Sequence, residues 1–251
     1  MQAAPRLAFG VIADIQFADA EDGYDFGGYR RRYYRHSLRL LQEAVRAWAG
    51  ESPPIDFVLD VLGQLSVPVH HAWGNHELYN FSRARLVQTG LYSRAAGGSA
   101  GPADRECHAY HWSPAPGLRL VVLDTYDTST LGTDPGSLRY QESLRLLREK
   151  NPNDDLNSPE AHVPLHPCAS NGVCLAWNYE AALSVIHAHR SVVCVLAGHL
   201  HDGAYCLDCH GVHHLTLEGV IETPPDSNAF GTIYVYEDKM VLKGRGRIPD
   251  R

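Results

Sequence analysis

Gly74-Asn75-His76-Glu77 closes an apolar run that begins at Val67, and it joins residue types that phosphoryl chemistry uses. Glycine lets the backbone turn sharply where a strand ends. The Asn75 amide oxygen is a hard metal ligand, and the His76 imidazole can protonate a leaving group or hold a phosphoryl oxygen. Two distant stretches echo this arrangement: Ile12-Ala-Asp-Ile-Gln16 follows the first apolar run, and Leu196-Ala-Gly-His-Leu-His201 follows a late one. His199 and His201 stand at i and i+2 on a segment expected to be extended, where both side chains point the same way and reach neighbouring metal positions. Carboxylate, amide and imidazole groups delivered from several strand ends are what a two-metal phosphoesterase site requires.

The elements that must position these groups follow from the apolar pattern. Residues 7–13 read as a buried strand ending at Asp14, followed by a loop over 14–28. Residues 29–49 place Tyr34, Leu38, Leu41, Val45 and Trp48 at helical spacing, with Arg30, Arg31, Arg32 and Arg35 near the start,. Four cations in one turn oppose the helix dipole. They read either as a solvated face or as a clamp for substrate phosphates. Strands are expected at 55–59 and 67–73, parallel to the first. Neighbouring parallel strands need a crossover of about a dozen residues or more, yet only Asp60-Val-Leu-Gly-Gln-Leu-Ser66 lies between them.

A helix is expected at 78–92, a Gly/Ala/Ser loop at 95–105, strands at 108–112 and 118–123, and a second amphipathic helix at 137–150. The polar tract 151–160 has almost nothing to bury and runs straight into Ala161-His162, a strand-end ligand without its strand. A helix at 178–189 and a buried strand at 191–197 then lead to His199. The runs at 212–217, 230–236 and 239–243 read as an antiparallel meander. No internal repeat interrupts residues 1–251, which read as one domain.

With 251 residues, 44% of them hydrophobic, the chain has room for a full core,. A net charge of −7 supplies no basic field for nucleic acid,. No run approaches the roughly eighteen apolar residues of a membrane span, and the first residues lead into a strand and not a signal-peptide pattern. A cytoplasmic monomer with small-molecule partners, and neither nucleic acid nor membrane, is expected. The six cysteines are scattered, which suits reduced thiols better than a disulfide framework,.

Asp14-Ile-Gln16, Gly74-Asn-His-Glu77, His162 and Gly198-His-Leu-His201 resemble, in order and spacing, the calcineurin-like metallophosphoesterases. Gln16 stands where most of that superfamily has histidine. Arg31-Arg-Tyr-Tyr-Arg-His36, His70-His-Ala-Trp-Gly-Asn-His-Glu77 and the stretches 171–179 and 217–226 narrow the resemblance to the manganese-dependent ADP-ribose/CDP-alcohol diphosphatase group, nearly end to end. The resemblance implies an α/β fold, a sandwich of two mixed sheets flanked by helices, incomplete in this chain. It implies Asp14, Gln16 and His201 on one metal, Asn75, His162 and His199 on a second, and His76 as the catalytic histidine. Mn²⁺ or Mg²⁺ suits such ligands, with zinc a third candidate. The implied reaction splits the pyrophosphate of ADP-ribose, CDP-choline and related compounds into two phosphomonoesters.

Two departures qualify that reading. The family ends its second strand with a Gly-Asp pair whose carboxylate bridges both metals, and this chain has Leu62-Gly63 there. Asp60 is the nearest substitute, but it lies three residues early and points off the wrong face. The other departure is the strand missing before His162. Residues 60–66 and 151–161 are therefore expected to be irregular, and two internal losses suggest an alternatively spliced or mis-assembled product. The alternatives are a catalytically impaired chain that holds one ion better than two, or a phosphoesterase for a different ester. Phe26 is a candidate to stack on the substrate base, and Arg32 and Cys174 to line the same pocket. Cys206-Leu-Asp-Cys209-His210, with His213 and His214, reads as loop decoration more readily than as half a zinc site.

Overall fold

The first apolar run folds as β1 (Leu7–Ile12), with all six residues buried. A computed structural model describes residues 4–25, 27–59, 67–93, 107–150, 163–172 and 174–251. After β1 come the short strands β2 (Gly23–Tyr24) and β3 (Arg31–Arg32), helix α1 (His36–Ala49), β4 (Phe57–Leu59) and β5 (Val69–His70). Helices α2 (Asn75–Asn80) and α3 (Arg83–Leu86) precede a hairpin of β6 (Tyr110–Ala115) and β7 (Leu118–Val122). The chain continues through α4 (Leu138–Lys150), α5 (Tyr179–Ala188), β8 (Cys194–Ala197), β9 (Asp202–Leu207), β10 (His213–Glu218), β11 (Ala229–Val235) and β12 (Met240–Gly246). It divides into two compact units, one of residues 1–71, 113–119 and 217–251 and the other of residues 72–112 and 120–216.

The first unit is built on a mixed five-stranded sheet of order β12-β11-β1-β4-β5. β1 pairs antiparallel with β11 and parallel with β4, and β4 pairs parallel with β5. The three parallel strands are those the apolar runs predict. The heptapeptide joining the last two lies outside the described residues, as do residues 95–105 and 151–162 among the expected irregular or loop segments.

Helix α1 lays Leu40, Leu41, Ala44 and Trp48 onto this sheet, all buried. Each such side chain is worth about 1.5–3 kcal/mol when withdrawn from water. Gly10 makes the fit: a Cβ there would come within 2.6 Å of the Trp48 ring. The Trp48 indole N–H donates to the Gly231 carbonyl at 3.3 Å, and its ring meets Phe230 edge-on at 5.3 Å.

The helix expected from residue 29 starts instead at His36. The arginines explain the delay, because they pair with carboxylates outside the helix and leave the early backbone extended. Arg31 meets Asp22 at 3.0 Å, Arg35 meets Asp19 at 2.6 Å and also Glu21, and Arg30 and Arg32 lie 3.8 and 3.7 Å from Glu222.

The second unit holds a three-stranded sheet of order β8-β10-β9, in which β10 runs parallel to β8. The expected meander therefore holds for β11 and β12, while β10 belongs to another sheet. The last two residues of β9, Cys206 and Leu207, fall in a stretch read as loop decoration. The helix expected at 78–92 is broken: Phe81 is extended, and the Ser82 hydroxyl caps a new start by accepting from the Arg85 N–H at 3.2 Å. Trp73, Leu78, Leu86 and Tyr126 form one buried cluster, and Val163, Leu165 and Ala176 form another beneath α5. No helix among the described residues is long and apolar enough to cross a membrane.

Candidate metal centre

In the first unit, β1 ends at Asp14, which is 7% exposed and has φ +54°, with Gln16 at φ +45°. Left-handed backbone at a residue with a side chain costs on the order of 1–3 kcal/mol and persists only where surroundings enforce it. The 3₁₀ turn Val220–Glu222 supplies that enforcement. Val220 N–H donates to the Ala13 carbonyl at 3.1 Å and Ile221 N–H to the Asp14 carbonyl at 2.9 Å. The Gln16 amide nitrogen donates to Asp14 Oδ1 at 3.0 Å, so carboxylate and amide are held together. Arg32 is mostly buried and faces Glu222 from a strand whose successor, Tyr33, donates its N–H to the Ile221 carbonyl at 2.8 Å. The arginine run thus faces neighbouring carboxylates.

In the second unit, Asn75 is the first residue of α2 and 7% exposed. Its Oδ1 is buried and has no hydrogen-bond partner among the described residues. Burying an amide oxygen without compensation costs about 1–3 kcal/mol, and a hard cation is the partner that would offset it. Glu77 turns back to accept the Gly74 N–H at 2.7 Å, which fixes the start of the helix. The next residue, His76, is half-buried, and its ring meets Tyr79 edge-on at 5.8 Å. His199 and His201 sit in the tight turn between β8 and β9, with His201 8% exposed. The extended path expected there is not observed. His199 takes φ +70°, and Leu200 N–H bonds back to the Gly198 carbonyl at 2.8 Å, so strand alternation does not set the two imidazole directions.

His162, Phe26 and Asp60 lie outside the described residues. Cys174 is partly exposed and donates its N–H to Asn171 Oδ1 at 3.0 Å. The candidate donors of the first unit are a carboxylate and an amide oxygen, and those of the second an amide oxygen and two imidazoles; each set by itself suits Mn²⁺ or Mg²⁺ better than a soft ion.

Sequence reasoning overlooked a second cluster, also in the second unit. Cys168 and Cys206 are bonded as a disulfide across 38 residues, because the 3₁₀ turn Pro167–Ala169 packs beside β9 and brings their Cα atoms to 5.9 Å. That corrects the expectation of six reduced thiols. His214, read as loop decoration, is 1% exposed, and its Nε2 lies 2.9 Å from Asp208 Oδ2. Burial alone would raise the Asp208 carboxyl. Hydrogen bonds from His214, from the Val212 N–H, from His187 and from the His210 N–H outweigh it and hold that carboxyl well below the usual range. The signal available in sequence was the density of histidine and cysteine between 162 and 214.

Residues 49–203 match the family model described as calcineurin-like phosphoesterase. The chain is 44% identical to the mouse manganese-dependent ADP-ribose/CDP-alcohol diphosphatase, over 98% of this chain and 93% of that protein. It is 33% identical to the protein of the same name from Arabidopsis thaliana, over 97% and 96%. The mouse alignment runs over 316 residues against a chain of 251, so at least 65 of its positions face gaps in this chain. A crystal structure of a dimetal phosphatase from Danio rerio superposes with a TM-score of 0.89 at 40% identity, covering 98% of each chain. This chain belongs to the calcineurin-like phosphoesterase family.

Proposed function

We propose that the chain is a metal-dependent hydrolase that splits the pyrophosphate bond of ADP-ribose, CDP-choline and related nucleoside diphosphate-linked compounds into two phosphomonoesters. The observation that carries this reading is the buried, unpartnered Asn75 oxygen beside His76, in a chain 44% identical to a diphosphatase of that name. Asp14, Gln16, Asn75, His162, His199 and His201 are the residues that would hold the divalent cations. When bound, such cations acidify water and neutralise non-bridging phosphoryl oxygens. His76, anchored on the first turn of α2, donates to a phosphoryl oxygen or protonates the departing phosphate. Arg32, Phe26 and Cys174 are the residues we assign to substrate contacts. Net charge −7 argues against nucleic acid as substrate, and we read the chain as a cytoplasmic monomer,.

A second reading has its own observation. No Gly-Asp pair follows β4 in the sequence, and the carboxylate that would be shared by two cations is absent. On this reading the chain binds metal and nucleotide but turns substrate over poorly, and a third option is a different ester substrate. Incubation with Mn²⁺ and either ADP-ribose or CDP-choline, with products separated chromatographically, decides among them. Paired monophosphate products support the first reading. Nucleotide binding without products supports the second. Turnover of simple phosphate esters alone supports the third.

A further inference from the structure

We propose that His166, Cys168 and Cys206 form a soft-metal site that takes Zn²⁺ when the two sulfurs are reduced, using none of the ligands assigned above to the hydrolytic cations. Cys168 Sγ lies 2.9 Å from His166 Nδ1, and Cys206 Sγ lies 3.6 Å from the same nitrogen. The three donor atoms thus converge on one point. His166 Nδ1 accepts the Cys168 N–H at 3.2 Å. That bond requires a lone pair on Nδ1, so the ligating tautomer is already in place.

Beside these ligands stands a carboxylate–imidazole pair. The His214 ring packs against His166 at 4.6 Å, its Nε2 is held by Asp208 at 2.9 Å, and its Nδ1 is buried with no hydrogen-bond partner among the described residues. A carboxylate holding one imidazole nitrogen leaves the other free to act as a ligand, so Asp208 prepares His214 as a candidate fourth donor. Water or this Nδ1 completes a tetrahedral shell. Cys168 is exposed, so an ion has a way in.

The two sulfurs are bonded to each other in this structure, and one pair cannot serve both roles at once. A dithiol or phosphine reductant supplies two electrons, and with two protons the disulfide becomes two thiols while the reductant is oxidised. The thiols release their protons as they bind the cation. Two ligands about 2.3 Å from a tetrahedral ion sit roughly 3.8 Å apart. Cα atoms 5.9 Å apart allow that spacing by side-chain rotation alone.

The test uses the full chain, reduced with a phosphine and titrated with Co²⁺ as the spectroscopic probe. Cobalt on oxygen and imidazole ligands gives no thiolate charge transfer, so loss of the hydrolytic reading leaves this readout intact. We expect a near-ultraviolet thiolate-to-cobalt band that saturates, disappears when Zn²⁺ is added, and is missing from the oxidised chain and from the Cys168→Ser/Cys206→Ser chain. His166→Gln, the gentler variant should the double one fail to fold, is expected to weaken Co²⁺ binding at least about tenfold. No band in the reduced chain would overturn the site. So would the same band in the double variant, which retains Cys107, Cys174, Cys194 and Cys209, or undiminished binding in His166→Gln.

Discussion

Arg83 and Asp124 form an ion pair whose side chains are each only 1% exposed, and removing the negative partner tests how the Asn75-His76 segment is held. The guanidinium meets the carboxylate through two contacts of 2.6 and 3.2 Å and also donates to the Tyr126 carbonyl. Asp124 accepts the N–H groups of His108 and Tyr126 at 2.8 and 3.1 Å as well. In Asp124→Asn the new side chain keeps an acceptor for only one of those two amides, which bond to different oxygens, and the buried guanidinium loses its counter-charge. Breaking a buried pair from one side costs about 3–5 kcal/mol. For a chain of this size that lowers the melting temperature by roughly 6–20 °C. Arg83 opens α3 and donates its N–H to the Gly132 carbonyl at 2.9 Å, so the loss should also speed amide exchange across α2. Arg83→Met/Asp124→Asn removes both charges and should recover most of the stability, leaving a deficit under about 2 kcal/mol. Urea midpoints of wild type, both single variants and the double variant close the cycle. A cost for Asp124→Asn below about 1 kcal/mol, or a double variant as unstable as the sum of the singles, would refute the reasoning.

Metal analysis after dialysis against Mn²⁺ should find one tightly held ion: without a shared carboxylate, two dications about 4 Å apart repel by roughly 16 kcal/mol at an effective dielectric near 20. A firmly held pair of ions would sink that argument. If the chain turns over ADP-ribose, His76→Ala should lower the rate about a hundredfold or more with metal content unchanged, as read by product formation and metal analysis. An unaltered rate would assign the turnover to another group. Burial pushes the His70 imidazole down to about 4, against about 6.5 in an unfolded chain,. Between those values the unfolded state binds the extra proton, so stability rises with pH from about 4 to 6.5 and is fully present above, by on the order of 3 kcal/mol. Urea midpoints against pH should show this slope, and a slope equally steep in His70→Phe would assign it elsewhere. Inserting a crossover helix between Leu59 and Val67 and a strand before His162 should raise the melting temperature, since covering several apolar side chains contributes about 1.5–3 kcal/mol each. Equal transitions in both chains would count against the losses as a source of instability.

The central parallel strands were legible because buried strands read as unbroken apolar runs, and β1, β4 and β5 lie where residues 7–13, 55–59 and 67–73 place them. The candidate ligands at their ends drew notice for a related reason: they are polar groups that close an apolar run, and Asp14 and Asn75 are indeed buried. What the sequence hid depended on distant partners. The start of α1 is decided by Asp19, Glu21, Asp22 and Glu222, whose carboxylates draw four arginines away from helical geometry. Gly10 looks like a weak strand residue until the Trp48 ring is seen against it. Strand β9 carries Tyr205, Cys206 and Leu207 beside polar neighbours, a pattern that a loop would also produce.

The histidine and cysteine cluster shows most clearly why such sites escape a linear reading. His166, Cys206 and His214 are separated by 40 and 8 residues, and none stands in a recognisable spacing motif. They meet because β10 pairs with β8 and not with the later strands, a choice of sheet that apolar content alone does not make. Once β10 is in place, His214 is carried inside, where an imidazole must either find a carboxylate or lose its charge. Asp208 meets that need from the turn between β9 and β10, at 2.9 Å, and the same turn leads back to Cys206. The Cys206–Cys168 bond and the His166 contact then tie β9 to the segment just after residue 162, so two stretches that each carry a proposed cation ligand share one sulfur-linked anchor. Changing the state of those sulfurs should therefore alter how firmly both stretches are held, even though neither sulfur is assigned to the hydrolytic cations.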